Sequence, residues 1–148
     1  MDSKESAIDL TVWYICLALN IYHEARNEDL LGQLAVGLTT VNRATISAQR
    51  YGGTTKKRIC KEVFKYKQFS WTLKQDWRPR DKIAWERSLV LAKLVLKIDD
   101  FTEGATHFHT LAVKPYWAKT AWKCDLKWKL QQMQYLNQYG RHLFYKEL

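Results

Sequence analysis

Proline and glycine are scarce. Two prolines and six glycines in 148 residues exclude a linker-rich or collagen-like chain, and no internal repeat, low-complexity tract or domain boundary stands out. Only three cysteines occur, Cys16, Cys60 and Cys124, far apart and without a Cys-x-x-Cys pair. That usage predicts reduced thiols in a protein made in a cytoplasm, with no disulfide framework. The apolar stretch LTVWYICLALNIY at 10–22 is too short to cross a bilayer, so no membrane span is expected. The opening MDSKESAID is acidic on balance and lacks the basic region of a signal peptide, so no export signal is expected either. There is no His-Glu-x-x-His, no Gly-rich phosphate loop and no Gly-x-Ser-x-Gly elbow, which removes the local signatures of several hydrolase and nucleotide-binding classes.

What is present suits one globular domain spanning 1–148. The apolar fraction is 47%, with seven tryptophans, enough for a sizeable core. Lys and Arg outnumber Asp and Glu by 24 to 15, a formal +9, with the excess heaviest after residue 43. Such a field draws a protein towards polyanions: nucleic acid, anionic lipid or an acidic bacterial envelope.

Hydrophobic periodicity predicts a first helix over 7–25, capped by Ser6 with Asp9. Ile8, Val12, Ile15, Leu19 and Tyr22 form one apolar line; Leu10, Trp13, Leu17 and Ile21 form a second that ends in Glu24. Apolar cover on both faces predicts a central helix. Asn27 is the expected stop, in the left-handed conformation. Glu28 and Asp29 suit the first turn of a second helix, buried through Leu31, Leu34, Ala35, Leu38 and Val41. A short helix over 59–64, an aromatic QFSW loop and a long helix over 79–98 with Pro79 in its first turn follow. In the last third, ATHFHTLAV reads as a strand that HLFYK can pair with, while 119–139 is basic, tryptophan-rich and ambiguous. The expected fold is mainly α with a small β-hairpin.

Glu24 is the residue whose setting asks for an explanation. A carboxyl among apolar side chains resists ionisation and stays protonated near neutrality, as a general acid for glycosidic cleavage must. The structural alternative is a helix-end carboxylate paired with Arg26 or a nearby lysine. Glu28, four residues on, is better explained as a helix-start acid. His107 and His109 alternate and so share one strand face. With His23 or His142 they could make a three-ligand metal site, but histidines hydrogen-bonding along a polar groove fit the spacing better. Trp71, Trp77, Tyr116, Trp117 and Trp122, close to cationic residues, suit the core or stacking on sugars or bases.

Taken in order, these blocks resemble the SleB-type cell-wall hydrolases. IYHEARNEDLLGQLAVGLTTVNR is similar to their apolar helix, Glu-Ala-Arg-Gly-Glu, Gly-Gln-x-Ala-Val and Asn-Arg. QFSW, GATHFHTLAVKPYWAK and GRHLFYK are similar to their Gln-Phe-Ser, Ala-Thr-His-Tyr-His…Pro-x-Trp-Ala and Gly-x-His-x-Phe-Tyr segments. The resemblance covers residues 21–146 and departs at Asn27, where the family has Gly, and in a longer connection between PYWAK and GRHLFY. It implies a lysozyme-like, lytic-transglycosylase-like fold, peptidoglycan as partner, no cofactor and no metal. It places the acid on Glu24 and substrate contacts on His23, Glu28, Gln33, Asn42, Gln68, Phe69, Ser70, His107, His109, Tyr116, Trp117 and His142. With one candidate acid, the expected reaction is lytic transglycosylation between MurNAc and GlcNAc, leaving 1,6-anhydro-muramic ends; a hydrolysing muramidase of the same fold is the alternative.

A catalytic domain without an export signal resembles a phage endolysin, a monomer held in the host cytoplasm until lysis and then acting on the periplasmic wall. Its basic charge would bind the anionic envelope, with no role for nucleic acid. Two readings from other classes stay open: a zinc amidase or peptidase using His23, His107, His109 or His142, and a small basic nucleic-acid-binding protein with 28–48 as half of a helix-turn-helix.

Overall fold

A computed structural model of the protein describes residues 12–65, 68–119 and 133–148. Ser6, Asp9, Trp122 and Cys124 lie outside these, as does the start of the first predicted helix. The described fold is mainly helical with a small antiparallel sheet, consistent with the lysozyme-like fold that the resemblance implies.

Helix α1 (Trp13–Ala25) is the centre of the core, with every residue from Cys16 to Tyr22 buried. The two apolar lines in its sequence are its two packed faces. It lies against α2 (Leu30–Tyr51), α3 (Thr55–Val63) and α4 (Lys82–Val95), and Leu17, Leu19, Leu38, Ile59, Val63, Leu91 and Val95 fill the space between them. Gly37 lets these helices approach: a Cβ there would stand 3.0 Å from both Ile21 Cδ1 and Val95 Cγ2.

The caps explain where the predicted boundaries move. Asp29 is the N-cap of α2 and accepts from Gly32 N at 2.8 Å, which leaves Glu28 outside the helix. Asn27 is not left-handed; α1 ends at Ala25 and Arg26 is still right-handed, so the chain turns before Asn27 is reached. The long helix starts at Lys82 rather than Pro79, because Asp81 caps it by accepting from Ala84 N. The Tyr22 hydroxyl accepts from the N–H groups of Arg80 and Asp81, binding the entry of α4 to α1. The short helix also starts earlier than predicted, capped by Thr54.

The cysteines correct the expectation of reduced thiols. Cys16 and Cys60 form a disulfide, their Cα atoms 5.2 Å apart across 44 residues of sequence. It joins α1 to α3 within the core, a proximity made by helix packing that spacing along the chain does not show.

Strand β1 (His107–Thr110) pairs with β3 (His142–Glu147) as predicted, with Phe108 opposite Phe144. The expected hairpin is in fact a three-stranded sheet of order β1–β3–β2, the third strand being β2 (Met133–Tyr139) from the ambiguous segment. A short helix, α5 (Tyr116–Lys119), follows β1. Gly140 takes φ 58° at the first position of the two-residue β2–β3 turn, where positive φ suits glycine. The sheet docks on α2 through Ala35, Val36, Ala105 and Phe144, and this brings β1 beside the end of α1.

Candidate active site

Glu24 lies in the last turn of α1, partly buried, and its carboxyl has no hydrogen-bond or ion-pair partner among the described residues. Desolvation by burial raises its pKa to about 7. The helix C-terminus adds to this, since its partial negative charge disfavours a carboxylate. Arg26, the partner a structural role would give it, instead places its guanidinium 4.9 Å from the centre of the Tyr22 ring.

Three clefts meet at Glu24. The one bounded by the most elements, the main cleft, has about 450 Å³, no more than the second, and runs between Glu24, Thr39 and Arg43 of α2, the 68–70 segment, β1 and Trp117. A second continues past Arg26, Glu28 and Arg141, and a third past Ser70, Trp71, Lys74 and Arg78. An extended substrate could therefore pass the acid on either side. Among the described residues, Glu24 is the only carboxylate lining the main cleft.

Arg43 organises the far wall. Its Nη2 donates to Gln68 Oε1 at 2.7 Å, its Nη1 to the Thr106 carbonyl at 3.0 Å, and its Nε pairs with Glu62 at 3.2 Å. Nη1 also lies 3.1 Å from His107 Nε2. A guanidinium can only donate, so Nε2 carries the lone pair and the His107 proton sits on Nδ1, facing Thr106 Oγ1 at 2.9 Å. Burial, with the charges of Arg43 and Lys65 adding to it, lowers the His107 pKa to about 4 and keeps the ring neutral. His109 directs Nδ1 at the Thr110 carbonyl and Nε2 at the Tyr145 hydroxyl. Both histidines touch the Trp117 ring, as one strand face requires.

His23 and His142 hold the frame. His23 Nε2 donates to the Trp77 carbonyl at 2.8 Å and its ring stacks on Trp71 at 4.5 Å, so burial lowers its pKa and the ring anchors the aromatic loop. His142, 2% exposed, contributes to the walls of both the main and second clefts. Its Nδ1 is 3.1 Å from Glu28 Oε1, without hydrogen-bond alignment. Burial lowers its pKa despite the opposing Glu28 charge.

Of the other predicted contacts, Gln68, Phe69, Ser70 and Trp117 line the main cleft. Tyr116 begins α5. Gln33 and Asn42 line none of the three clefts. Gln33 is 2% exposed and donates to the Glu28 carbonyl. Asn42 donates to Asp100 and to the Ala105 carbonyl, steadying the loop before β1. Arg43 and Thr39, which the sequence reading did not single out, face the cleft instead. Their four-residue spacing on α2 was the available signal.

Both ring nitrogens of His107 and of His109 are engaged within the protein. Among the described residues, no three His, Cys, Asp or Glu side chains gather to hold a metal ion.

The sequence model of the family described as Cell Wall Hydrolase matches residues 27–145. The chain belongs to the SleB-type cell wall hydrolase family. Its substrate is accordingly peptidoglycan, and the groove beside Glu24 is the candidate place for it. The family match begins just after Glu24, so the case for that residue rests on its setting in the cleft and on the Glu-Ala-Arg resemblance. No curated protein and no solved structure matches the chain.

Proposed function

We propose that this cell wall hydrolase cleaves the MurNAc–GlcNAc backbone of peptidoglycan as a lytic transglycosylase, with Glu24 as its acid. The observation that carries this reading is the unpaired Glu24 carboxyl, with a pKa of about 7, as the lone described carboxylate in the main cleft. Protonated Glu24 donates to the leaving glycosidic oxygen as the bond to the anomeric carbon breaks. The muramic 6-hydroxyl then attacks that carbon and returns its proton to Glu24, closing a 1,6-anhydro ring without consuming water. Two-carboxylate hydrolysis would require a second group positioned for a nucleophile or water. Neither carboxylate of the adjoining clefts supplies one: Glu28 is held by the backbone N–H and Nε of Arg141, and Asp76 by Arg78 and Arg80.

His107, His109 and Trp117 would orient the sugar on the sheet side, and Gln68 and Ser70 on the other. The +9 charge would keep the enzyme on the anionic envelope. We place it in this scheme as a single-domain, monomeric phage endolysin that accumulates in the host cytoplasm with its thiols reduced, reaches the periplasmic wall at lysis and there forms the Cys16–Cys60 disulfide. Mass spectrometry of soluble fragments released from purified peptidoglycan tests the chemistry. Muramic ends lighter by one water are expected; reducing muramic ends alone would replace this reading with hydrolysis.

A further inference from the structure

A separate polar hollow, of about 270 Å³, lies across the Arg43–His107 contact from the main cleft. The two share Arg43, Gln68 and His107, so they are neighbours on either side of one hydrogen-bonded ridge. Three charged side chains from different elements complete the hollow: Arg50 in the last turn of α2, Lys65 just beyond α3, and Glu147 at the end of β3. Arg43 is already paired with Glu62. Arg50, Lys65 and Glu147 have no ion-pair partner among the described residues. The Lys65 charge nevertheless reaches the ridge, where it helps hold His107 neutral. Glu147 is held in place through its backbone N–H, which donates to Thr106 Oγ1 at 2.9 Å.

Two unpaired cations and one carboxylate have no use for the sugars of the glycan, which are neutral. A phosphate polymer would meet repulsion from Glu147. The muramic residue, however, carries a peptide stem on its lactyl group, and that stem presents free carboxylates and, in many walls, a free amine. We infer that this hollow is a binding subsite for the peptide stem of the muramic sugar held in the main cleft. Arg50 and Lys65 receive stem carboxylates, and Glu147 receives the stem amine. The enzyme then selects peptide-bearing strands over bare ones. The inference rests on the glycan-cleavage reading above and goes beyond it to the substituent recognised.

The test compares glycan strands carrying their stems with the same strands stripped of peptide by an amidase, the lactyl carboxylates so freed being converted to primary amides to keep the stripped glycan neutral. The wild-type enzyme should prefer the stem-bearing strands, each exposed cation accounting for about three- to fivefold in kcat/KM. Arg50→Ala combined with Lys65→Ala should erase the preference through KM and leave cleavage of stripped strands at the wild-type rate, because burial, the largest cause, and Arg43 still keep His107 neutral. Glu147→Gln should weaken only stems with a free amine. Equal wild-type rates on the two substrates, or an equal loss on both in the double variant, would overturn the stem subsite. Release of 1,6-anhydro fragments from stripped strands in that case would show that glycan cleavage itself stands. Absence of cleavage of either strand by the wild-type enzyme would remove the glycan reading and the inference with it.

Discussion

Glu28 Oε1 accepts the backbone N–H of Arg141 at 3.1 Å, across 113 residues of sequence. The same carboxylate takes Arg141 Nε on its other oxygen at 3.2 Å and faces His142 Nδ1. Gly140 stands against it, its Cβ position 3.3 Å from the Glu28 carboxyl carbon, so a side chain there would crowd the contact. The loop that follows Glu24 is thus latched to the β2–β3 turn.

The latch predicts a structural phenotype at Glu28. Glu28→Gln keeps an acceptor for Arg141 N but turns an amide towards a guanidinium and an imidazole. Stability should fall by about 1–3 kcal/mol, the cost of leaving buried polar groups poorly paired. Lytic activity should fall partly, and less than for Glu24→Gln. Thermal denaturation alongside a turbidity assay checks this; a fully folded Glu28→Gln protein with no activity would make Glu28 the acid.

Glu24→Gln should abolish lysis while leaving the fold intact, since an amide cannot deliver the proton. Its stability carries a pH signature. The folded pKa of about 7 lies above the ordinary 4.5, so the unfolded chain releases this proton first as pH rises. The stability associated with protonated Glu24 is complete below about pH 4.5 and is lost as pH climbs towards 7. Glu24→Gln should therefore match the wild type at low pH and exceed it by roughly 3 kcal/mol above neutrality. Urea denaturation at both pH values decides it; equal stability throughout would mean that the carboxyl is not desolvated. Wild-type activity should decline over the same alkaline limb.

Much of this site was legible as sequence because burial on a helix is periodic. The apolar line through Trp13, Leu17 and Ile21 gives Glu24 its setting, and the alternation of His107 with His109 gives them one face. Strand β2 was not legible: a register irregularity between Tyr135 and Asn137 breaks the alternation that marks a strand. The Asn42–Arg43 pair shows the limit of local reading. Only the docking of β1 beside α2 decides that Arg43 reaches His107 while Asn42 turns to Asp100. The disulfide was hidden for the same reason, since it joins two helices whose contact is tertiary.

That disulfide predicts a redox-dependent stability. Closing a loop over a separation of 44 residues should contribute about 2–4 kcal/mol through the entropy of the unfolded chain. Replacing Cys16 and Cys60 with Ala together, or adding reductant, should lower the urea midpoint while leaving kcat unchanged at temperatures where the protein stays folded. An unchanged midpoint would argue that the thiols are reduced in solution.

Chelation should leave activity intact. A metal at β1 would need a free imidazole nitrogen from His107 or His109, and each ring nitrogen already faces Arg43, Thr106, Thr110 or Tyr145. Dialysis against EDTA, followed by assay and by metal analysis of the protein, checks this. Activity lost to EDTA and restored by zinc would favour cleavage of the peptide stems.

The last prediction concerns Arg43, whose side chain is 12% exposed and faces a Glu62 side chain 10% exposed. A lysine could not reproduce its fork, which reaches Glu62, Gln68, Thr106 and His107 together. Arg43→Met should destabilise the protein by about 3–5 kcal/mol, largely because Glu62 is left buried without a counter-charge. Adding Glu62→Leu removes that charge, so the double variant should regain much of the loss. Activity should not recover with it, since Gln68 and His107 still lack the donor that orients them towards the cleft. The double-mutant cycle therefore separates the two jobs of this residue. Recovery of both stability and lysis in the double variant would mean that Arg43 serves the fold alone.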